Sequence, residues 1–197
     1  VKSSSPHYPL VIVFHGRNAN LNESASYWKD LVNYGWMIAL LQSSQVIGVD
    51  SFCWDDRELA VKETRQQFDE IIEGYSIDPD RIILSGFSQG GGLAIWLVLQ
   101  RKIPAAGFIA VSPYLAEVKQ LTNREYGLSP DASLRSPKGY LVTGDRDEHQ
   151  SMFDDLEILL QTNGIEFIRE RHTELGHEYP GNFSESFLQA VGFIVKA

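Results

Sequence analysis

Ser88 stands in the pentapeptide Gly86-Phe87-Ser88-Gln89-Gly90, which is entered from Ile82-Ile83-Leu84-Ser85 and left through Gly91-Gly92-Leu93-Ala94. A bare G-x-S-x-G arises often by chance, because a Gly-rich turn between two elements needs the same residues. Here a buried strand precedes it and an apolar helix follows, the order a nucleophile elbow requires. At such a turn the serine hydroxyl projects clear of the sheet, and glycines on either side let the turn close against neighbouring backbone. The helix N-terminus behind it supplies free N–H groups that can meet a developing oxyanion.

A serine hydroxyl becomes a useful nucleophile only when a base takes its proton and a third group holds that base. In a strand–turn–helix setting of this kind the chain order is serine, then carboxylate, then histidine. Three histidines follow Ser88: His149, His172 and His177. His149 opens a helical stretch, where surface exposure is the ordinary role, and His172 ends an alternating strand, where solvation is. His177, in the loop Leu175-Gly176-His177-Glu178-Tyr179-Pro180, is placed to swing over the elbow and is the candidate base. The acid falls in Gly144-Asp145-Arg146-Asp147-Glu148. Asp147 lies further from the strand end, where the loop can turn back toward His177; the alternative is Asp145 as the acid with Asp147 capping the next helix. Two backbone donors complete an oxyanion site: the N–H of Gln89, directly after the nucleophile, and that of Arg17 in His15-Gly16-Arg17-Asn18. His15 then has a structural role, hydrogen-bonding this loop.

The elements that must position these groups alternate along the chain. Residues 10–14, 37–41, 81–86, 106–111 and 140–143 read as buried strands, and 165–169 as a more exposed one. Helices are expected over 24–34 with Ser24 as N-cap, 57–74 ending at Gly74, 88–100, 152–160 and 185–196, with Asp78-Pro79-Asp80 a turn. Buried strands alternating with helices predict an α/β fold: a mostly parallel central sheet with helices on both faces. Residues 113–137, with three prolines and no long apolar run, are the one stretch long enough for a partial cap. No repeat or linker is visible, so residues 1–197 read as a single domain.

Composition excludes several classes. The chain has 197 residues, 43% of them apolar, and a net charge of −9, with no basic patch to meet nucleic acid. No apolar run is long enough for a membrane span. A single cysteine, Cys53, leaves no intrachain disulfide, and with no secretory signal this predicts a cytoplasmic setting, although the chain starts at Val1 and leaves room for a preceding segment. The histidines lack metal-ligand spacing and no dinucleotide fingerprint follows a strand, so neither a metal nor an organic cofactor is expected.

The segments Val13-Phe14-His15-Gly16, Asp78-Pro79-Asp80-Arg81-Ile82, Gly86 to Gly91, Gly144-Asp145-Arg146-Asp147 and Gly176-His177 together resemble the α/β-hydrolase superfamily. The likeness is greatest to its small carboxylesterase/phospholipase group, which includes acyl-protein thioesterases and dienelactone-hydrolase-like esterases. The resemblance implies a triad of Ser88, Asp147 and His177, since the second aspartate of G-D-x-D is the family's acid, with Arg17 and Gln89 as backbone donors. It also makes Trp54 and Phe52, in the segment after the second strand, candidate pocket walls; Trp54 packing onto the helix near Arg57 is the equal alternative. Phe87, beside the nucleophile, fits a site for a modest acyl chain. Three features depart from the family pattern: the hairpin before the first strand is lacking, Arg17 replaces a small or apolar residue, and Glu148 stands where proline is frequent. The Arg17 guanidinium is expected either to meet a polar group on the substrate or to form a surface ion pair.

The function expected is hydrolysis of small to medium carboxylic esters, or thioesters, through an acyl-enzyme on Ser88. The alternative is a non-catalytic hydrolase-fold protein that binds a small molecule. Partners are then a small-molecule ester or thioester, with no nucleic acid and no membrane span; a homodimer is left open.

Overall fold

The computed structural model describes residues 7–115 and 136–195. Most of the expected cap segment, 116–135, lies outside the described residues. The first apolar run forms strand β1 (Tyr8–Phe14), followed by helix α1 (Leu21–Trp28), a 3₁₀ turn over 29–34, and β2 (Met37–Leu41). A short hairpin, β3 (Gln45–Gly48) and β4 (Ser51–Cys53), leads to α2 (Arg57–Gly74), β5 (Ile77–Phe87) and α3 (Gln89–Leu99). Then come β6 (Gly107–Val111), β7 (Lys138–Gly144), α4 (Gln150–Thr162), β8 (Glu166–His172) and α5 (Phe183–Ile194).

Six strands form one sheet in the order β2-β1-β5-β6-β7-β8, and every pairing among them is parallel. Side chains alternate faces along each strand, so each buried run feeds two cores. Leu10, Ile12, Phe14, Leu84, Phe108 and Leu141 point to one side, where α2, α3 and α4 cover them. Val11, Val13, Ile83, Ile109, Val111 and Val142 point to the other, under Trp28 and Leu31 and the α5 residues Phe183, Phe187 and Ile194. Helices thus cover both faces, as the alternation predicts.

This strand order has one reversal. From β1 the chain goes outward to β2, and from β5 it goes the other way to β6, so the crevice between the carboxyl ends of β1 and β5 is left open. Ligands bind at such switch points in open α/β sheets. The register Phe14↔Gly86 sets the loop after β1 directly beside Phe87-Ser88.

Several boundaries differ from the sequence reading. The cap of α1 is Asn20, whose side chain accepts from the N–H groups of Asn22 and Glu23; Ser24 is buried inside the helix. Asp78-Pro79-Asp80 is an excursion within β5: β1 pairs Tyr8 with Ile77 but Leu10 with Ile82. The β3–β4 hairpin was not expected, since its strands are short and β3 is largely exposed.

The α5 face rests on an aromatic cluster. Phe187 is fully buried and meets Trp28 and Trp36 edge-on, with ring centroids 6.0 and 5.8 Å away. Phe187→Ala is expected to cost about 3–5 kcal/mol through the cavity it leaves, read as a lower midpoint in chemical denaturation with an unchanged slope.

Candidate active site

Ser88 ends β5 and precedes α3 with φ 52° and ψ −120°. A non-glycine residue there carries strain of order 1–3 kcal/mol. Three hydrogen bonds hold it: the Ser88 N–H donates to the Val111 carbonyl at 3.0 Å, and its own carbonyl accepts from Gly92 at 3.0 Å and Tyr114 at 2.8 Å. The turn closes only because Gly90 lacks a side chain; a Cβ there would lie 2.3 Å from the Phe14 carbonyl oxygen and 2.5 Å from that of His15.

The structure brings the three residues singled out around the elbow to one place. The Ser88 hydroxyl donates to His177 Nε2 at 2.9 Å, and His177 Nδ1–H donates to Asp147 Oδ2 at 2.9 Å. Asp147 is 3% exposed. Burial pushes its carboxyl up, but hydrogen bonds from the His149 amide and from the His177 and His149 rings outweigh this and hold it below the ordinary range. The Asp145 side chain is engaged elsewhere: Oδ1 accepts from the Glu174 N–H at 2.7 Å. With the Asp145 N–H to His172 O bond (3.0 Å) and the Arg146 N–H to Leu175 O bond (2.9 Å), it ties the acid-bearing loop to the loop carrying His177.

His149, expected on the surface, is part of this group. Its amide and its Nδ1–H both donate to Asp147 Oδ1, at 2.9 and 3.0 Å, so the aspartate faces a second imidazole. That ring lies 4.9 Å from the His177 ring and edge-on to Tyr114 at 5.1 Å. Asp147, His149 and His177 are near enough together to resemble a ligand set for a cation. However, both Nδ1 atoms are spent on the carboxylate and His177 Nε2 on Ser88, a pattern that suits proton handling.

The second wall is the loop after β1. Gly16 approaches so closely that a Cβ would sit 3.2 Å from the Phe87 ring and 3.7 Å from Ser88 Cβ, which sets Arg17 beside the elbow. Gln89 opens α3, and first-turn amides have no partner inside their helix. His15 is fully buried and holds this loop: Nδ1–H donates to the Gly16 carbonyl at 2.8 Å, and Nε2 accepts from the Ser43 N–H at 3.3 Å. Burial pushes its pKa down, so the imidazole is neutral.

Trp54 and Phe52 act on this same loop rather than on the cavity at Ser88. Trp54 is 3% exposed, its Nε1–H donates to the His15 carbonyl at 3.0 Å, and its ring packs at 5.5 Å against Phe14 and 4.9 Å against His15. It borders a separate cleft with Gln89, Trp96 and Tyr114. The Phe52 backbone bonds both Asn18 and Ala19, at 3.0 and 3.1 Å. Phe87 does line the cavity beside Ser88, about 310 Å³ in volume, together with Gly16, Arg17, Tyr27, His177 and Tyr179. The Arg17 guanidinium pairs with Asp55 at 3.1 Å, half exposed, and that hydrogen bond holds the Asp55 carboxyl below its ordinary range. Asp55 also accepts from the Gln89 amide at 2.6 Å, and the Gln89 carbonyl oxygen accepts from the Trp54 N–H at 2.9 Å.

A phospholipase/carboxylesterase family model matches residues 45–133. Among curated proteins, a bifunctional acetylxylan esterase/xylanase of Neocallimastix patriciarum is 29% identical over 92 residues, covering 44% of this chain and 13% of that protein. Acyl-protein thioesterase 1 of Cryptococcus neoformans is 36% identical over 64 residues, covering 31% of this chain and 27% of that protein. These matches span well under a third of the curated relatives' lengths. A solved structure of an uncharacterized protein from Bacillus cereus superimposes with a TM-score of 0.82 at 28% identity, over 100% of this chain and 63% of that one. Esterase PE8 superimposes with a TM-score of 0.72 at 20% identity, over 97% and 93%. The chain has the α/β-hydrolase fold. Within it, residues 45–133 match the phospholipase/carboxylesterase family.

His15 carries a pH prediction. Its folded pKa is depressed, so the stability of the neutral buried form is full above the unfolded value near 6.5 and is lost as pH falls toward the folded pKa. Stability measured by urea unfolding should drop between about pH 7 and 5, and His15→Asn, which keeps a donor for Gly16 but does not titrate, should flatten that part of the curve.

Proposed function

We propose that the protein is a serine esterase, acting on carboxylic esters or thioesters of small to medium acyl groups. The observation that carries this reading is the unbroken line from Ser88 Oγ through His177 to a buried, anionic Asp147, set at a strained strand-to-helix turn. Names among the relatives, acetylxylan esterase and acyl-protein thioesterase, support the same reaction type. No helix among the described residues is long and apolar enough to cross a membrane. The proposal takes residues 1–197 as one catalytic unit in a cytoplasmic setting, for which the single free cysteine Cys53 is the support.

Chemistry follows from the proton positions. Ser88 Oγ attacks the ester carbonyl carbon while its proton passes to His177 Nε2, and Asp147 steadies the imidazolium through Nδ1–H. The carbonyl oxygen becomes an oxyanion facing the N–H groups of Arg17 and Gln89. On collapse the bond to the leaving alcohol or thiol breaks, and His177 gives that group its proton. Water then attacks the acyl-serine, losing a proton to His177 and releasing the acid and free Ser88. His149 acts as a positioning residue: by occupying Asp147 Oδ1 it leaves Oδ2 to His177 and fixes the carboxylate plane.

Ser88→Ala and His177→Ala should each lower turnover of p-nitrophenyl acetate by several orders of magnitude, because triad members act as a unit. Ser88→Ala should also abolish labelling by a fluorophosphonate; labelling of wild type absent under the same conditions would favour a binding protein. His149→Phe should lower kcat about tenfold, as for one hydrogen bond to a charged group worth about 1.5 kcal/mol, and leave KM near wild type. A loss as deep as that of Ser88→Ala would instead make His149 part of the catalytic unit.

A further inference from the structure

The cavity beside Ser88 has an unusual wall. Phe87 lies against the His177 ring with centroids 4.9 Å apart, and stacks on Tyr179 at 5.1 Å and 25°. Tyr179 stacks in turn on Tyr27 at 4.0 Å and 14°. These contacts form a strip of rings stacked one upon the next, which starts at the base and ends at the half-exposed Tyr27. Three anchors keep it rigid. The Tyr179 hydroxyl accepts from Trp28 Nε1–H at 3.1 Å, its ring meets Phe183 edge-on at 5.0 Å, and Tyr27 is carried on α1. Burial pushes the Tyr179 phenol up, so it stays neutral. Tyr27 nevertheless remains 47% exposed while bordering the cavity. A large aromatic side chain pre-oriented by its neighbours but left accessible loses little freedom when another ring stacks on it.

The remaining border differs in kind. It consists of residues 16–19, of Glu23 and Ser24 from α1, and of Glu178. Such a border gives no apolar sleeve for a long alkyl chain. A volume of about 310 Å³ is at the lower end of small-molecule pockets, which run from ~300 to 1,000 Å³. We propose that this site selects esters bearing a planar aromatic ring a few bonds from the scissile carbonyl, the ring stacking on the half-exposed Tyr27 at the outer end of the Phe87–Tyr179–Tyr27 strip. This substrate class rests on the reading of Ser88 as the acylated residue. The ring can belong to the acyl or the alcohol side, and the chemistry of stacking is the same for both.

The test uses two matched pairs that differ only in flatness. Methyl 3-phenylpropanoate is set against methyl 3-cyclohexylpropanoate for the acyl side, and benzyl acetate against cyclohexylmethyl acetate for the alcohol side. The phenyl member of at least one pair should have the higher kcat/KM by about fivefold, the size expected of one added aromatic stack. Tyr27→Ala should remove most of that ratio and Tyr27→Phe should keep it. Calorimetry of the same esters on Ser88→Ala reads the strip without turnover and should show the same preference. Equal kcat/KM and equal binding within both pairs, or a phenyl preference unmoved by Tyr27→Ala, would overturn the proposal. Labelling of Ser88 by a fluorophosphonate separates the two readings. A labelled enzyme indifferent to flatness loses only the aromatic preference; an unlabelled protein whose Ser88→Ala form still prefers phenyl esters keeps the strip and loses the esterase reading.

Discussion

The contact on which the rest depends is backbone against backbone: the first turn of α3 pressed into the carboxyl end of β1. With Gly90 this near the Phe14 and His15 carbonyls, no side chain fits between them. The chain must therefore turn within one residue, and that residue, Ser88, takes a conformation that costs energy. The sheet supplies the compensation. Parallel pairing of β5 with both β1 and β6, the Ser88 N–H bond to the Val111 carbonyl, and the Gly92 and Tyr114 N–H bonds to the Ser88 carbonyl over-determine the turn. The strain is thus stored where the fold is stiffest, and the hydroxyl has little choice of direction.

Around this fixed point the other groups are held by loops that are cross-braced in pairs. The loop after β1 is pinned by His15, Trp54 and Phe52, and it is coupled to α3 through Asp55 and the Gln89 side chain. The loops after β7 and β8 are tied together through Asp145, Arg146 and Glu174. Buried polar networks of this kind rigidify only when every member has a partner. Asp147 illustrates the point, with donors on both oxygens. Its anionic form is favoured by local hydrogen bonds in spite of burial.

Much of this was legible in the residues because the constraints are local. Continuous apolar runs mark the buried strands, and the glycines flanking Ser88 mark a close approach seen as the contact at Gly90. The meeting of residues 88, 147 and 177 was readable because parallel strands deliver their following loops to the same edge of the sheet. What escaped reading depended on partners distant in sequence. For Trp54 the residues leave wall and packing roles even, and the bond of its indole N–H to the His15 carbonyl adds a hold on the loop after β1 that no local pattern signals. Asp145 and Asp147 are nearly equivalent as letters; the G-D-x-D pattern points to Asp147, which is the one that meets His177, while Asp145 takes the Glu174 amide. His149 was placed on the surface, although an aspartate two residues before it is the local signal for the Asx-type bond to its amide. Asn20 with Glu23 three residues on was likewise a better start signal for α1 than Ser24.

The order of the strands has a consequence for how the chain comes to life. The groups of the proposed site are drawn from positions 17, 88, 147 and 177, and the last belongs to the segment that follows the far edge strand β8. Contacts so distant along the chain form late and together, since the loops between them must close first. Until β8 has joined the sheet, Ser88 has a strained turn but no base. In the proposed esterase a partly assembled molecule therefore carries a chemically dormant alcohol, and reactivity toward an acyl donor becomes a sensitive reporter of complete folding, one that would report loss of the last strand.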